Sequence, residues 1–290
     1  MASPCTIATL KRAAKCYYLV VTESFLANGL YYRTNGIDKE KLTLIFIHGL
    51  SGSSSAWEKY EQAFKVKCNT VCFDLRGHGK SKKWPDYRDY ELEDQADDIL
   101  LLSKTLGLKN FVVVAHSFGV LIALHLLRHH KEMISSAIFL TPVFTVKNVK
   151  WAKIAILPLI FYSKITSALP FKNKTGIQLD YSKFKHYGFW HFKRMASDIW
   201  NTTPRIYLYC LRQMYNFSGE SVLKDIKTPI LIIHGTKDTV VSLIYSKEAQ
   251  KKLPNSTLIK LKNANHLLIL NNLRQVISSI ESFLNLNLKK

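Results

Sequence analysis

The chain has 290 residues, 47% of them hydrophobic, enough for one large core or a core domain with a sizeable insertion, and this excludes disorder as its main state. Its formal net charge of +20 points toward anionic partners without constraining the fold, and no apolar run approaches the roughly 18 residues of a membrane-spanning helix. Five scattered cysteines (Cys5, Cys16, Cys68, Cys72, Cys210) without CxxC spacing argue against a disulfide framework or a cysteine-bound zinc and fit a reducing, cytoplasmic compartment.

Residues 1–41 read as an N-terminal extension with the first strands. The first 22 carry Lys11, Arg12 and Lys15 and no acid before Glu23, a composition shared with organelle transit segments, but an ordinary extension is the expectation. Residues 42–141 then alternate short branched apolar runs with segments of helical spacing, the signature of an α/β fold with a parallel sheet. "LTLIFIHG" (Leu42 to Gly49), "TVCFDL" (Thr70 to Leu75), "FVVVAH" (Phe111 to His116) and "SAIFL" (Ser136 to Leu140) are the predicted strands. Ala56 to Phe64, Leu92 to Leu106 and Phe118 to His130 are the predicted helices. From 142 to 227 the alternation stops, and the segment is aromatic, basic and punctuated by Pro158, Pro170 and Pro204; a mostly helical insertion is expected there. Residues 228–290 resume the rhythm with strands Pro229 to Gly235 and Ser256 to Leu261 and helices Leu243 to Leu253 and Leu273 to Leu284.

In "VVVAHSFGVLIALHLL" (Val112 to Leu127) a buried strand meets a helix at His116-Ser117. A serine there, with Ala115 and Gly119 two positions away on each side, fits the tight turn that lifts a nucleophile above a sheet. Alanine stands where the consensus has glycine, which would crowd the turn slightly. A serine hydroxyl needs a base and an orienting carboxylate. "HGTKD" places Asp238 after one strand and "NANH" places His266 after the next, giving the order serine, acid, histidine. The carboxyl ends of parallel strands share one edge, so these three loops can converge. Asp225 precedes its strand and would lie at the wrong edge. Two backbone N–H groups are candidate oxyanion donors: Phe118, just after the serine, and Leu50, in "HGLSGSS". His48 is expected to brace that loop. His125 and His129 stand at i, i+4 with no evident third ligand, so no metal site is expected.

Together, "HGLSGSS", "FDLRGHGKS" (Phe73 to Ser81), "AHSFG", "GTKD" and "NANH" occur in the order found in the α/β-hydrolase superfamily, which the chain resembles from about Leu42 onward. The resemblance implies a mostly parallel sheet flanked by helices, with the 142–227 insertion as a helical cap over the pocket. It makes Ser117 the nucleophile, Asp238 the orienting acid and His266 the base, with no cofactor. It also assigns Asp74, Arg76 and His78 to bracing their loop. Members that open epoxides or displace halide use aspartate at the elbow, so serine disfavours both reactions here.

The implied activity is hydrolysis of carboxylic esters with a hydrophobic acyl part. Thioester, amide, lactone and carbon–carbon substrates remain open on the same residues, as does a non-catalytic ligand-binding relative. Between Val146 and Phe217 twelve Lys/Arg face two acids, so contact of the cap with an anionic membrane is a further expectation, through a cluster such as Lys183, Lys185, Lys193 and Arg194. Nucleic acid is not expected, because no recognised binding module accompanies the charge.

Overall fold

The computed structural model describes residues 21–145, 150–184 and 191–286. The basic stretch around Lys11 to Lys15, Cys5, Cys16, Lys147 and Lys185 lie outside the described residues. In chain order the elements begin with β1 (Thr22–Phe25), β2 (Tyr31–Thr34), β3 (Thr43–Ile47), α1 (Glu58–Phe64), β4 (Asn69–Phe73) and α2 (Leu92–Thr105). They continue with β5 (Phe111–His116), α3 (Gly119–His129), β6 (Ile134–Leu140), α4 (Lys150–Ala168), α5 (Phe192–Thr202) and α6 (Pro204–Asn216). The last part is β7 (Ile230–Gly235), α7 (Leu243–Lys252), β8 (Ser256–Leu261), α8 (Leu268–Asn271) and α9 (Leu273–Phe283).

One eight-stranded sheet runs in the order β1-β2-β4-β3-β5-β6-β7-β8. From β4 to β8 every neighbouring pair is parallel, whereas β1 and β2 join antiparallel at one edge. The apolar runs of β3, β5 and β7 are buried along their whole length, as strands covered on both faces must be. Successive side chains serve opposite faces: Ile45, Ile47, Val113 and Ala115 enter the core beneath α2 and α3. Leu44, Phe46, Val112 and Val114 enter the one beneath α1 and α9.

β2 is hard to see in the sequence, because Arg33 interrupts it. That arginine is buried and its guanidinium meets Glu61 at 2.6 Å and Glu58 at 3.2 Å, so a polar letter stands for an interior position. Pro158, read above as an interruption, lies inside α4. It stands on the exposed side of that helix, where the carbonyl it leaves without a partner can be hydrated.

Among the described residues, the segment between β6 and β7 forms no strand of the sheet. Its two ends meet where Thr145 bridges Ser218 and Gly219 N–H donates to the Phe144 carbonyl at 2.9 Å. Its middle is tied down on the sheet's loops. Ser55 N–H donates to Gln178 Oε1 at 3.1 Å, Ser55 Oγ to the Leu179 carbonyl at 2.7 Å, and Gln178 Nε2 to Asp74. No helix among the described residues is long and apolar enough to cross a membrane.

Candidate active site

The chain leaves β5 through a turn so tight that Ser117 takes φ +50°, a left-handed conformation that L residues seldom adopt without compensation. The compensation is local: Ser117 N–H donates to the Leu140 carbonyl at 3.0 Å, and α3 starts two residues later. Ala115 is fully buried opposite Phe139, so the elbow accommodates a methyl group there. Gly119 leaves no such room. A Cβ on it would stand 2.7 Å from the His48 carbonyl oxygen and 2.9 Å from that of Ile47, backbone that cannot step aside. Gly119→Ala should therefore cost ~1–3 kcal/mol of stability and lower kcat/KM by roughly 10² by displacing the serine. Thermal melting and turnover on the same preparation check both effects; unchanged turnover would show that the elbow tolerates the shift.

Three loops converge above the carboxyl edge of the sheet. His266 Nε2 lies 3.0 Å from Ser117 Oγ, and His266 Nδ1 lies 2.8 Å from Asp238 Oδ2. With Nδ1–H donating to the carboxylate, Nε2 is the acceptor that faces the hydroxyl. The Asp238 side chain is fully enclosed, and its Oδ1 accepts from the N–H groups of Val240 (2.8 Å) and Val241 (2.9 Å). Burial pushes its pKa up. Hydrogen bonds from His234 and His266, and from the Val241 amide, outweigh that and hold the carboxyl well below the usual carboxylate range.

The loops after β7 and β8 are stitched together. Thr236 N–H donates to the Leu261 carbonyl, Lys237 N–H to that of Ala264, and Asn263 N–H to Thr236 Oγ1. The His266 carbonyl is in turn gripped by His116 Nε2 (3.1 Å) and Thr141 Oγ1 (3.4 Å). Desolvation, with help from the neighbouring His266, pushes the His116 pKa down to about 3, so His116 is neutral and serves as a donor. His116, Thr141 and His234 are supporting residues that the sequence reading left without roles. Their only cue is a position at the end of a strand that feeds the site.

His48 and the "DLRGHGKS" loop occupy bracing positions. His48 Nδ1 donates to the Gly49 carbonyl (2.8 Å) while its Nε2 accepts from the Leu75 N–H (3.0 Å). Asp74 accepts from the N–H groups of Ser54 (2.7 Å) and Lys80 (2.8 Å), and Arg76 clamps Asp98.

Ser117 and His266 open into a cavity of about 210 Å³ that Leu50 and Phe118 also line. Neither of those two residues' backbone N–H groups donates to any described residue. The floor and walls are largely apolar, with Val143, Val241, Leu267 and Leu270, and the roof brings Met195 and Ile199 of α5 and Leu211 and Met214 of α6.

Arg194, counted above among surface charges, is a correction: it is buried beside the cavity and its Nη1 meets Asp198 Oδ2 at 2.5 Å. Tyr181 OH donates to the other Asp198 oxygen at 3.0 Å. Burial raises the Asp198 pKa to about 6 even though Arg194 and Tyr181 pull it down. The i, i+4 spacing of Arg194 and Asp198 on a helix was the sequence signal for this pair.

The alpha/beta hydrolase fold family matches residues 43–273. A protein of Arabidopsis thaliana named "Probable lysophospholipase BODYGUARD 4" is 35% identical over 121 residues, which is 41% of this chain and 29% of that protein's length. The bifunctional esterase/perhydrolase DCH of Acinetobacter calcoaceticus is 26% identical over 247 residues, 79% of this chain and 86% of its own. Among solved structures, a hydrolase from Pseudomonas aeruginosa PA01 superposes with a TM-score of 0.71 at 16% identity, covering 91% of this chain and 98% of that one.

Proposed function

Because the chain belongs to the alpha/beta hydrolase fold family, we propose that it is a serine hydrolase acting on carboxylic esters whose acyl part is hydrophobic. The observation that carries the reading is the continuous relay Ser117 Oγ, His266 Nε2, His266 Nδ1, Asp238 Oδ2, with steps of 3.0 and 2.8 Å. In this reading Ser117 Oγ attacks the ester carbonyl as His266 Nε2 takes its proton. The Leu50 and Phe118 amides, which have no other acceptor among the described residues, receive the oxyanion. Collapse of the tetrahedral intermediate expels the alcohol, which takes the proton back from His266. A water, deprotonated by the same nitrogen, then releases the acid and restores Ser117.

Residues 142–227 act as the cap in this proposal, since α5 and α6 supply the roof of the cavity. Met195, Ile199, Leu211 and Met214 offer an acyl chain apolar contact, beside Tyr181, Arg194, Asp198 and Tyr207 in the same lining. Each buried methylene contributes ~0.8 kcal/mol, so kcat/KM should climb about four-fold per added CH₂ until the cavity is full. A panel of nitrophenyl esters of increasing acyl length, run beside matched thioesters and amides, tests this. Fluorophosphonate labelling with the adduct mapped to Ser117 tests the nucleophile. Turnover of amides with none of esters, or no label on Ser117, would sink the proposal.

A further inference from the structure

α4 is apolar nearly all round, a pattern that belongs to a helix with both faces covered. Only its inner face is covered by described residues. There Leu159 and Ser163 are buried, and Thr166 Oγ1 meets Tyr209 OH of α6 at 2.8 Å. On the outer face Ile154, Leu157, Phe161 and Ile165 are 64%, 70%, 69% and 45% exposed. Their three- and four-residue spacing puts them in one stripe. Large apolar side chains scattered singly on a surface need no explanation, but four aligned on one helix do.

We propose that this outer face of α4 is a docking surface for an anionic lipid bilayer. The charge around it selects that occupant. α4 contains no acid, Lys164 borders the stripe, and Lys172 and Lys174 stand exposed in the stretch that follows the helix. A helix with an apolar stripe and a lysine border lies in the plane of a membrane with its apolar side chains among the acyl tails. Phosphate and carboxylate headgroups then neutralise the lysines. A second copy of the chain would instead bring one acid-free, lysine-bordered face against another. Mutual repulsion opposes that pairing.

This places the membrane contact on the apolar stripe of α4 and away from Arg194, which is buried against Asp198. The geometry also links the two surfaces of the roof. α6 contacts α4 on one side and gives Leu211 and Met214 to the cavity on the other, so a docked bilayer would lie two helices, α4 and α6, from the acyl pocket.

The test is co-sedimentation of the full chain with vesicles of phosphatidylcholine containing rising fractions of phosphatidylserine, at low and high salt. Binding is expected to rise with the anionic fraction and to fall as salt screens the lysines. Leu157→Glu combined with Phe161→Glu should reduce vesicle partitioning by more than about ten-fold. Lys164→Glu with Lys172→Glu and Lys174→Glu should abolish the dependence on phosphatidylserine. All variants should hydrolyse a short soluble ester at near wild-type kcat/KM, and that arm reports on the chemistry at Ser117 independently of docking. Wild type that fails to sediment at low salt, or variants that bind as it does, would overturn the proposal. So would a lipid-free dimer that Leu157→Glu with Phe161→Glu converts to monomer, which would assign the stripe to a second copy.

Discussion

Ser117→Ala is expected to fold like the wild type and to lose ester turnover by ~10⁴–10⁶-fold. The hydroxyl removes no packing when it leaves, because its hydrogen-bond partner is His266 on a loop already held by Asp238, His116 and Thr141. What leaves with it is the attacking atom. Binding of an uncleavable acyl analogue should be preserved, since the cavity walls are untouched. Single-turnover kinetics and analogue titration on purified protein separate the two effects, and near-normal hydrolysis in the variant would refute the assigned nucleophile.

Asp238→Asn should lower kcat by ~10⁴ with a much smaller effect on KM. The amide can present its NH₂ to His266 Nδ1, which favours the tautomer with the proton on Nε2, where it can no longer accept from Ser117. The same substitution reads out a second property. Asp238 is held below its ordinary pKa in the folded state, so the stability it contributes is fully present above the unfolded carboxyl range, about pH 4. That contribution is lost as pH falls through and below that range. Denaturant midpoints measured from pH 7 down to pH 3 should therefore fall less steeply for the asparagine variant on the acid side. Equal slopes would mean that the carboxylate is not stabilised by its partners.

The strands β3 to β7 are legible in the sequence because a sheet buried on both faces demands runs such as "TLIFI" and "ILIIHG", and β8 because the branched run "STLIKL" repeats the rhythm at the edge. The predicted and observed ends differ by a residue or two, because the apolar runs continue past the last paired residue, as in β3, which ends at Ile47. β1 gave no comparable signal. Its residues Thr22 to Phe25 are all exposed, and an edge strand held on one side by backbone hydrogen bonds imposes little on its side chains. The same limit applies to the roof. The break in the strand-helix alternation marks 142–227 as a mostly helical insertion, but where its helices lie and which face of each turns inward depend on partners far away in the chain. Composition alone therefore does not separate the exposed stripe of α4 from the buried side chains of the same insertion, or the buried Arg194 from the surface lysines around it. Ser117, Asp238 and His266 were easier, because each sits at the carboxyl end of a strand and the topology brings those ends to one edge.

The position of β8 has a kinetic consequence. It is the last strand of the sheet, pairs on one side alone with β7, and leaves several of its side chains partly open to solvent. Yet the turn that follows it carries His266. Edges open more readily than centres, in cooperative units well below the free energy of global unfolding. A transient opening of the β7–β8 corner would withdraw His266 from Ser117 while β3 to β6 stayed paired around the elbow. Heat would thus part His266 from Ser117 before the sheet as a whole melted, leaving the serine on an intact turn between β5 and α3.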